Sequence, residues 1–396
     1  MATPDLSVGV DEFTLILQAA DIDNMTPDQW PEKVDEILED FLQKSKIETL
    51  FGTLQPATTK LQAGYTDGLT YADQPWYFMI AWHEFYVKMG VCVRFSAFAY
   101  AAYKQAFKAA YKTDLNIATF LQMVQSDLYI TRLSRIDLTA DYMNYPDPII
   151  PNKQLSPDSI YNRLQDGLYK IRNHKGKSTI KTYSALHKDG AYETFYAGTK
   201  KGKTDGFLRC YNKKEEQQQT HGFRFQEAES CESWVRFEAV YRQNYAHQIT
   251  EQLLHEIGTE AELQQAIAKH IVDRYCFWDL ADNEAAAFSE DLAGIAAGAR
   301  VNALSRPNAR DNSLAQSIAY LRDGSGLYAT FYKVYEIWGA DGERELLEHL
   351  KECYEYNYKL QAPKNRDIQY WLSKHRKALI GTQLSDLFYI IPNREN

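Results

Sequence analysis

Leu133-Ser134-Arg135-Ile136-Asp137-Leu138-Thr139-Ala140-Asp141-Tyr142 reads as a strand, and at it the order of elements along the 396-residue chain begins again. Side chains alternate across a strand, so Arg135, Asp137, Thr139 and Asp141 share one face and Ile136, Leu138 and Ala140 the other. Upstream, Gly9 to Leu17 is a β-prone run in which Asp11 has a setting like that of Asp137. The helix after it opens at Thr26-Pro27-Asp28 or at Pro31, and Trp30, Val34, Ile37, Leu38, Phe41 and Leu42 give it one apolar stripe. Downstream, Ser156-Pro157-Asp158 opens a helix in the corresponding place. Strands are expected at 76–82 and 91–95 in the first half, with Lys88-Met89-Gly90 as the turn between them, and helices at 100–111 and 115–124. In the second half strands are expected at 180–183, 192–197, 207–213 and 234–241. Each half is then a helix packed on one face of an antiparallel sheet, and the expectation is an internally duplicated α+β fold.

After Tyr245 the character changes. Ile249, Leu253, Leu254, Ile257, Leu263, Ile267 and Ile271 recur at helical intervals, and Arg306-Pro307-Asn308 reads as a joint. Further helices are expected at 314–321, 327–338 and 343–354. The organisation expected is an N-terminal half at 1–130, a second half at 131–245 and a helical region at 246–396. Lys364, Arg366, Lys374, Arg376 and Lys377 make the end of that region basic, without a clear recognition-helix pattern.

A hydrophobic content of 45% and an aromatic content of 13% allow one large or two to three ordinary cores. No run of about 18 apolar residues is present, and the N-terminus lacks a basic segment followed by an apolar one, so the expected location is the cytoplasm. The five cysteines are far apart and read as reduced thiols. The net charge of −9 argues against nucleic acid only until it is located. Residues 1–50 hold twelve acidic residues and three lysines, which accounts for all of it. Elsewhere the balance is even, with basic clusters at 170–177 and 200–203 that read as solvated turns or as phosphate contacts.

One tyrosine stands between two cations in Gly206-Phe207-Leu208-Arg209-Cys210-Tyr211-Asn212-Lys213-Lys214-Glu215-Glu216. At strand period Arg209, Tyr211 and Lys213 project together. Flanking cations favour a phenolate and hold a phosphate against it, so Tyr211 is a candidate nucleophile whose hydroxyl faces incoming DNA. The same parity places Arg236 and Glu238 on one face of the strand at 234–241. Asp137, Asp141 and Glu238 could then offer carboxylates to Mg²⁺ or Mn²⁺ while arginines stabilise charge. Buried ion pairs of Asp137 with Arg135 and of Glu238 with Arg236 are the competing reading. Tyr196 is the second candidate nucleophile, without a cation at strand spacing. The histidines include no His-hydrophobic-His triplet and read as surface or structural groups.

Four ordered motifs carry a resemblance: Arg135-Ile136-Asp137-Leu138-Thr139-Ala140-Asp141, Glu193-Thr194-Phe195-Tyr196-Ala197-Gly198-Thr199-Lys200, Leu208-Arg209-Cys210-Tyr211-Asn212-Lys213-Lys214-Glu215 and Trp234-Val235-Arg236-Phe237-Glu238. In this order they resemble rolling-circle plasmid replication initiators of the staphylococcal type and the related relaxases of integrative conjugative elements. The resemblance runs from about Gly9 to Tyr245 and departs at Ser96-Ala97, where relatives often have serine followed by glycine. It implies two TATA-binding-protein-like halves and a metal-dependent, site-specific single-strand endonuclease that joins itself through tyrosine to the 5′ side of a nick. It implies Tyr211 as the nucleophile, Arg209 as a phosphate contact, and Asp137 and Glu238 as metal ligands. It further implies duplex origin DNA and single-stranded DNA at the nick as partners, with a host helicase and a homodimeric assembly. A conjugative relaxase and a non-catalytic origin-binding protein are the alternatives.

Overall fold

The computed structural model describes residues 3–388 apart from 23–24, 59–60, 62–63, 174–175, 178–179, 181, 189, 201–204, 305–313 and 324. The first of its two units, Met1–Ser305, is built on one antiparallel sheet of ten strands. In the first half these are β1 (Asp5–Ala19), β2 (Gln55–Pro56), β3 (Asp67–Thr70), β4 (Phe78–Trp82) and β5 (Val91–Phe95). In the second they are β6 (Tyr129–Met143), β8 (Tyr183–Lys188), β9 (Ala191–Ala197), β10 (Gly206–Asn212) and β11 (Trp234–Arg242); β7 (Tyr169–Arg172) lies outside this sheet.

The spatial order is β2-β3-β4-β5-β1-β6-β11-β10-β9-β8. Each half therefore contributes its first strand to the centre and its remaining strands outward, last to first. This is the duplication expected from the sequence. A repeated triplet supports it: Val93-Arg94-Phe95 in β5 and Val235-Arg236-Phe237 in β11 lie on strands that flank β1 and β6 in the same way.

Period-two alternation gives the sheet an apolar and a charged face. Phe13, Leu15 and Leu17 of β1, Leu133, Ile136 and Leu138 of β6, and Phe237 and Ala239 of β11 are buried in one core. Packed into that core are α1 (Trp30–Ser45), through Trp30, Val34, Ile37 and Phe41, and α3 (Ala97–Tyr111), through Tyr100 and Tyr103. The short α2 (Ile47–Phe51), α4 (Ile117–Met123) and α5 (Pro157–Gln165) join it through Ile47, Phe120 and Ile160. Ser96 caps α3, its hydroxyl accepting from the Ala99 N–H at 3.3 Å. Between β10 and β11, two short helices, α6 (Lys213–Thr220) and α7 (Phe225–Ser230), reach the charged side instead. There Ala228 and Cys231 pack on Trp234 and Met143.

Two expectations change. The helices after Tyr245 do not begin a separate region. Ile249 and Leu253 of α8 (Gln243–His255) and Ile267 and Ile271 of α9 (Glu260–Tyr275) are buried in the same core as Ile136 and Leu138, and the division falls at 305/306 instead of 245/246. The basic cluster at 170–177 is not all turn, because Lys170 and Arg172 belong to β7. This strand pairs with β12 (Cys276–Asp279), which also pairs with β13 (Glu284–Ala285), and α10 (Ala287–Ala296) follows. His174, Lys175, most of the 200–203 cluster and the expected joint Arg306-Pro307-Asn308 lie outside the described residues.

The second unit, Arg306–Asn396, is helical. It contains α11 (Leu314–Asp323), then α12 (Leu327–Cys353), and later a helix at Arg366–Leu379 that carries Arg376 and Lys377 in its last turn. The two helices expected at 327–338 and 343–354 are both present within α12, which Gly339 divides: its φ of 65° and ψ of −162° lie outside the helical region.

Candidate active site

Register on the charged face fixes the first level of the site. Across β10 and β11, Arg209 lies opposite Glu238 and Tyr211 opposite Arg236; across β11 and β6, Arg236 lies opposite Asp141 and Glu238 opposite Thr139. The Tyr211 hydroxyl donates to Glu238 Oε2 at 3.2 Å, and Arg209 Nη2 donates to the same oxygen at 2.5 Å. The Arg209 guanidinium also lies over the Tyr211 ring, 4.6 Å from its centroid. Its Nε is buried and has no acceptor among the described residues.

Tyr211 is not exposed in the way the sequence suggests. It is only 6% exposed, and burial, with the Glu238 carboxylate next, pushes its phenol well above the usual value. Arg236 and Arg209 pull the other way and do not prevail. The phenol is thus protonated and already in contact with a proton acceptor.

Lys213 also departs from its expected place. The strand ends at Asn212, whose side chain accepts from the Glu215 N–H at 3.2 Å and caps α6, so Lys213 is the first residue of a helix. It stays beside the tyrosine nevertheless. Its ammonium lies 5.7 Å from the Tyr211 ring centroid and 2.8 Å from Glu216, and burial and then Arg236 lower its pKa. A cleft of about 250 Å³ opens here, lined by Thr194, Tyr196, Arg209, Tyr211 and the Glu215-Glu216 side of α6. Tyr196 is 9% exposed and has the Lys200 ammonium 2.9 Å from its ring centroid, a cation that strand spacing did not reveal.

Asp137 takes two hydrogen bonds from Arg135, at 2.9 and 2.6 Å. Burial, then Glu238, still raise its carboxyl to about 8, so these two carboxylates share a region of excess negative potential. Asp141 stands in another cluster. Its oxygens accept from Trp234 Nε1 at 2.8 Å, Arg236 Nε at 2.7 Å, Arg236 Nη2 at 2.8 Å and Arg224 Nη1 at 2.9 Å. Burial works to raise its pKa, but Arg236 and then Arg224 hold it below the usual carboxylate value. With both oxygens engaged by cations and an indole, Asp141 has no free lone-pair position comparable to those at Asp137 and Glu238.

The competing ion-pair reading is present for Asp137 with Arg135, whereas Glu238 pairs with Arg209 and leaves Arg236 to Asp141 and Asp11. No group of three His, Cys, Asp or Glu side chains is arranged to hold a metal among the described residues. Two neighbouring carboxylates are still an adequate protein share for Mg²⁺, which keeps several waters and takes its other oxygens from phosphate.

A family model described as replication initiation factor matches residues 131–346, more than half of the chain. The chain belongs to that family. Its role is accordingly in initiating replication, in agreement with the family to which the four motifs point. The structure is also similar to that of a rolling circle replication initiator protein from Geobacillus stearothermophilus, 16% identical, with a TM-score of 0.48 over 74% of this chain and 97% of that one. No curated protein matches the sequence significantly.

Every site residue named from the sequence lies within the part matched by the replication initiation factor model. The structure adds residues from outside it. A bulge in β1 between Val10 and Phe13 brings Asp11 and Glu12 to the charged face, where Asp11 accepts from Arg236 Nη1 at 2.5 Å and Glu12 pairs with Arg94 at 2.9 Å and Arg135 at 3.0 Å. The similar settings of Asp11 and Asp137 were the one signal for this. Trp234 begins the fourth motif and shares by period two the face of Arg236 and Glu238, whereas Arg224 had no signal, since only the fold of α6 and α7 brings it to Asp141.

Proposed function

We propose that this replication initiation factor is a DNA strand transferase that nicks one strand through Tyr211 and starts rolling-circle replication from the 3′ end it releases. The carrying observation is the contact of the Tyr211 hydroxyl with Glu238 beside Arg209, whose Nε proton has no acceptor among the described residues. In the reaction the phenol oxygen forms a bond to the scissile phosphorus and its proton passes to Glu238. The bond from phosphorus to the 3′ oxygen breaks, that oxygen leaves as a 3′-hydroxyl after taking a proton, and the 5′ end stays on Tyr211 as a phosphotyrosyl ester. Arg209 donates to the non-bridging oxygens, with Lys213 adding positive charge against the ring.

Asp137 and Glu238 would hold Mg²⁺ or Mn²⁺, which supplies charge stabilisation to the phosphate oxygens. Duplex origin DNA is the substrate before melting and single-stranded DNA at the nick after it, with a host helicase and a second copy of the chain as proposed partners. Among the described residues no helix is long and apolar enough to cross a membrane.

The test is incubation with supercoiled DNA of the parent element and Mn²⁺, followed by peptide mapping of any protein-linked DNA. The expected adduct is on Tyr211 and leaves an extendable 3′-hydroxyl; an adduct on Tyr196 or Tyr241 would overturn the assignment. Asp137→Ala and Glu238→Ala should each abolish nicking and leave duplex binding largely intact, because binding energy is spread over many phosphate contacts. Undiminished nicking by the double variant would remove the metal assignment.

A further inference from the structure

A second cleft, of about 330 Å³, opens on the same face, one strand from Tyr211. One side is the backbone of β1 from Ser7 to Asp11. β5 pairs with β1 only from Phe13 onward, so Asp5 to Val10 pair with β6 on one edge and with no described strand on the other. In an antiparallel pair every second residue turns its N–H and C=O away from its partner. Those groups form an alternating row of donors and acceptors along the cleft.

The remaining walls differ in chemistry. Across from the strand edge stands α3, which contributes Lys104. Its half-buried ammonium lies 4.7 Å from the Tyr100 ring centroid and has no ion-pair partner among the described residues. The turn between α6 and α7 contributes Phe223, 42% exposed and stacked on Phe98 at 5.4 Å with 23° between the rings. The three carboxylates lining the cleft, Asp11, Asp141 and Glu227, are bonded to Arg236 and Arg224. Counting Lys104, three negative and three positive groups leave no net charge, so the interior suits a neutral, hydrogen-bonding, planar group. A phosphate would be held only at Lys104.

We propose that this cleft holds one unstacked nucleobase of the strand being nicked, its edge read by the free backbone of β1 and its face on Phe223, with an adjoining phosphate on Lys104. The inference rests on the strand-transferase reading and names the subsite that holds the strand beside Tyr211. An extended peptide is the other ligand a strand edge attracts. The cleft between strand and helix is short and closed by Phe223 and Arg224, which suits one flat ring better than an extended chain, and the peptide is kept as an outcome of the test.

The test uses the full chain, without divalent metal so that no cleavage occurs. The probe is a random-sequence single-stranded oligonucleotide with 5-iodouracil in place of thymine, longer than the ~4–16 nucleotides of usual single-strand sites. Irradiation should crosslink it to the peptide containing Phe223. Phe223→Ala should weaken binding by about 5-fold to 150-fold, the range for loss of one stacked base, and Lys104→Gln should weaken it and reduce its salt dependence. Gly9→Val guards against misfolding as the explanation. A Cβ at Gly9 meets only Thr139 Oγ1, at 3.7 Å, and both residues line the cleft, so the backbone accepts a side chain there and that side chain occupies cleft space. It should leave the melting temperature unchanged and abolish the crosslink.

Crosslinks elsewhere, or undiminished oligonucleotide binding by Gly9→Val, would overturn the proposal. So would binding of an unstructured peptide that Gly9→Val abolishes while the oligonucleotide is unaffected. The nicking reading is scored separately, by the Tyr211 adduct of the wild type in Mn²⁺. An adduct with no effect of Gly9→Val refutes only the cleft, and a Phe223 crosslink with no adduct refutes only the nucleophile.

Discussion

Tyr211→Phe removes one oxygen atom, and the structure fixes what that atom does. The hydroxyl donates a single hydrogen bond, 3.2 Å long, to Glu238 Oε2, which keeps its 2.5 Å bond from Arg209 when the tyrosine is lost. Hydrogen bonds to charged groups contribute about 1.5–3 kcal/mol, and the larger penalties arise when a buried partner is left unsatisfied. Glu238 is not left so, and the phenyl ring keeps its place between Arg209 and Lys213. The expected loss of stability is therefore about 1–2 kcal/mol, a decrease in melting temperature of a few degrees for a domain of this size. This exceeds the negligible cost of an exposed hydroxyl, which the sequence alone implied. Covalent attachment and nicking, by contrast, should vanish together, since no other hydroxyl among the described residues meets Glu238. Urea unfolding gives the first quantity, and a denaturing gel of protein incubated with Mn²⁺ and labelled parent DNA gives the second. DNA affinity should stay within about twofold of wild type, since the phosphate contacts remain. An adduct formed by Tyr211→Phe in wild-type yield would refute the reasoning, and a stability loss above about 4 kcal/mol would show the hydroxyl to be a structural anchor instead.

Arg236→Met should cost about 3–5 kcal/mol in urea unfolding, because it strips a buried guanidinium from Asp141 and Asp11 and leaves two carboxylates only partly compensated; a loss below about 1 kcal/mol would show that water enters and solvates them. His270, buried in α9, has its pKa lowered to about 3 from the usual 6.5 by burial and then by Lys269. Between those values the unfolded chain binds a proton that the folded one does not, so stability falls as pH drops, by about 1.4 kcal/mol for each unit below 6.5. His270→Leu should flatten that slope, and an unchanged slope would assign it to other groups. A chain ending at Ser305 should fold and nick single-stranded oligonucleotides but lose preference for the duplex origin, whereas one ending at Asn244 should not fold, since it lacks nearly all of α8 and all of α9 from the sheet core; equal discrimination by the chain ending at Ser305 and the full chain would place specificity in the sheet unit.

Local alternation made the strands legible. Within β6, β10 and β11 the side chains on each face follow from period two alone, so the neighbourhood of Arg209, Tyr211, Asp137 and Glu238 could be assembled before any pairing was known. Lys213 shows the limit of that rule. Its departure from the strand is set by the Asn212 cap and by a helix, Lys213–Thr220, whose polar residues carry no apolar stripe to announce it. The burial of Tyr211 was equally hidden, because neighbours from other strands and from α6 surround it. Partners chosen across the fold were harder still: β7 meets β12 about a hundred residues later, and Arg224 reaches Asp141 only after the chain has turned back between β10 and β11. The acidic N-terminal segment is the most instructive case. Its charge count suggests a surface that repels DNA, yet two of its carboxylates, Asp11 and Glu12, are carried by a bulge onto the charged face and bonded there to Arg236, Arg94 and Arg135. Net charge describes the field far from the molecule. At the candidate site the balance is set instead by which half of the duplicated sheet supplies each ion to the other.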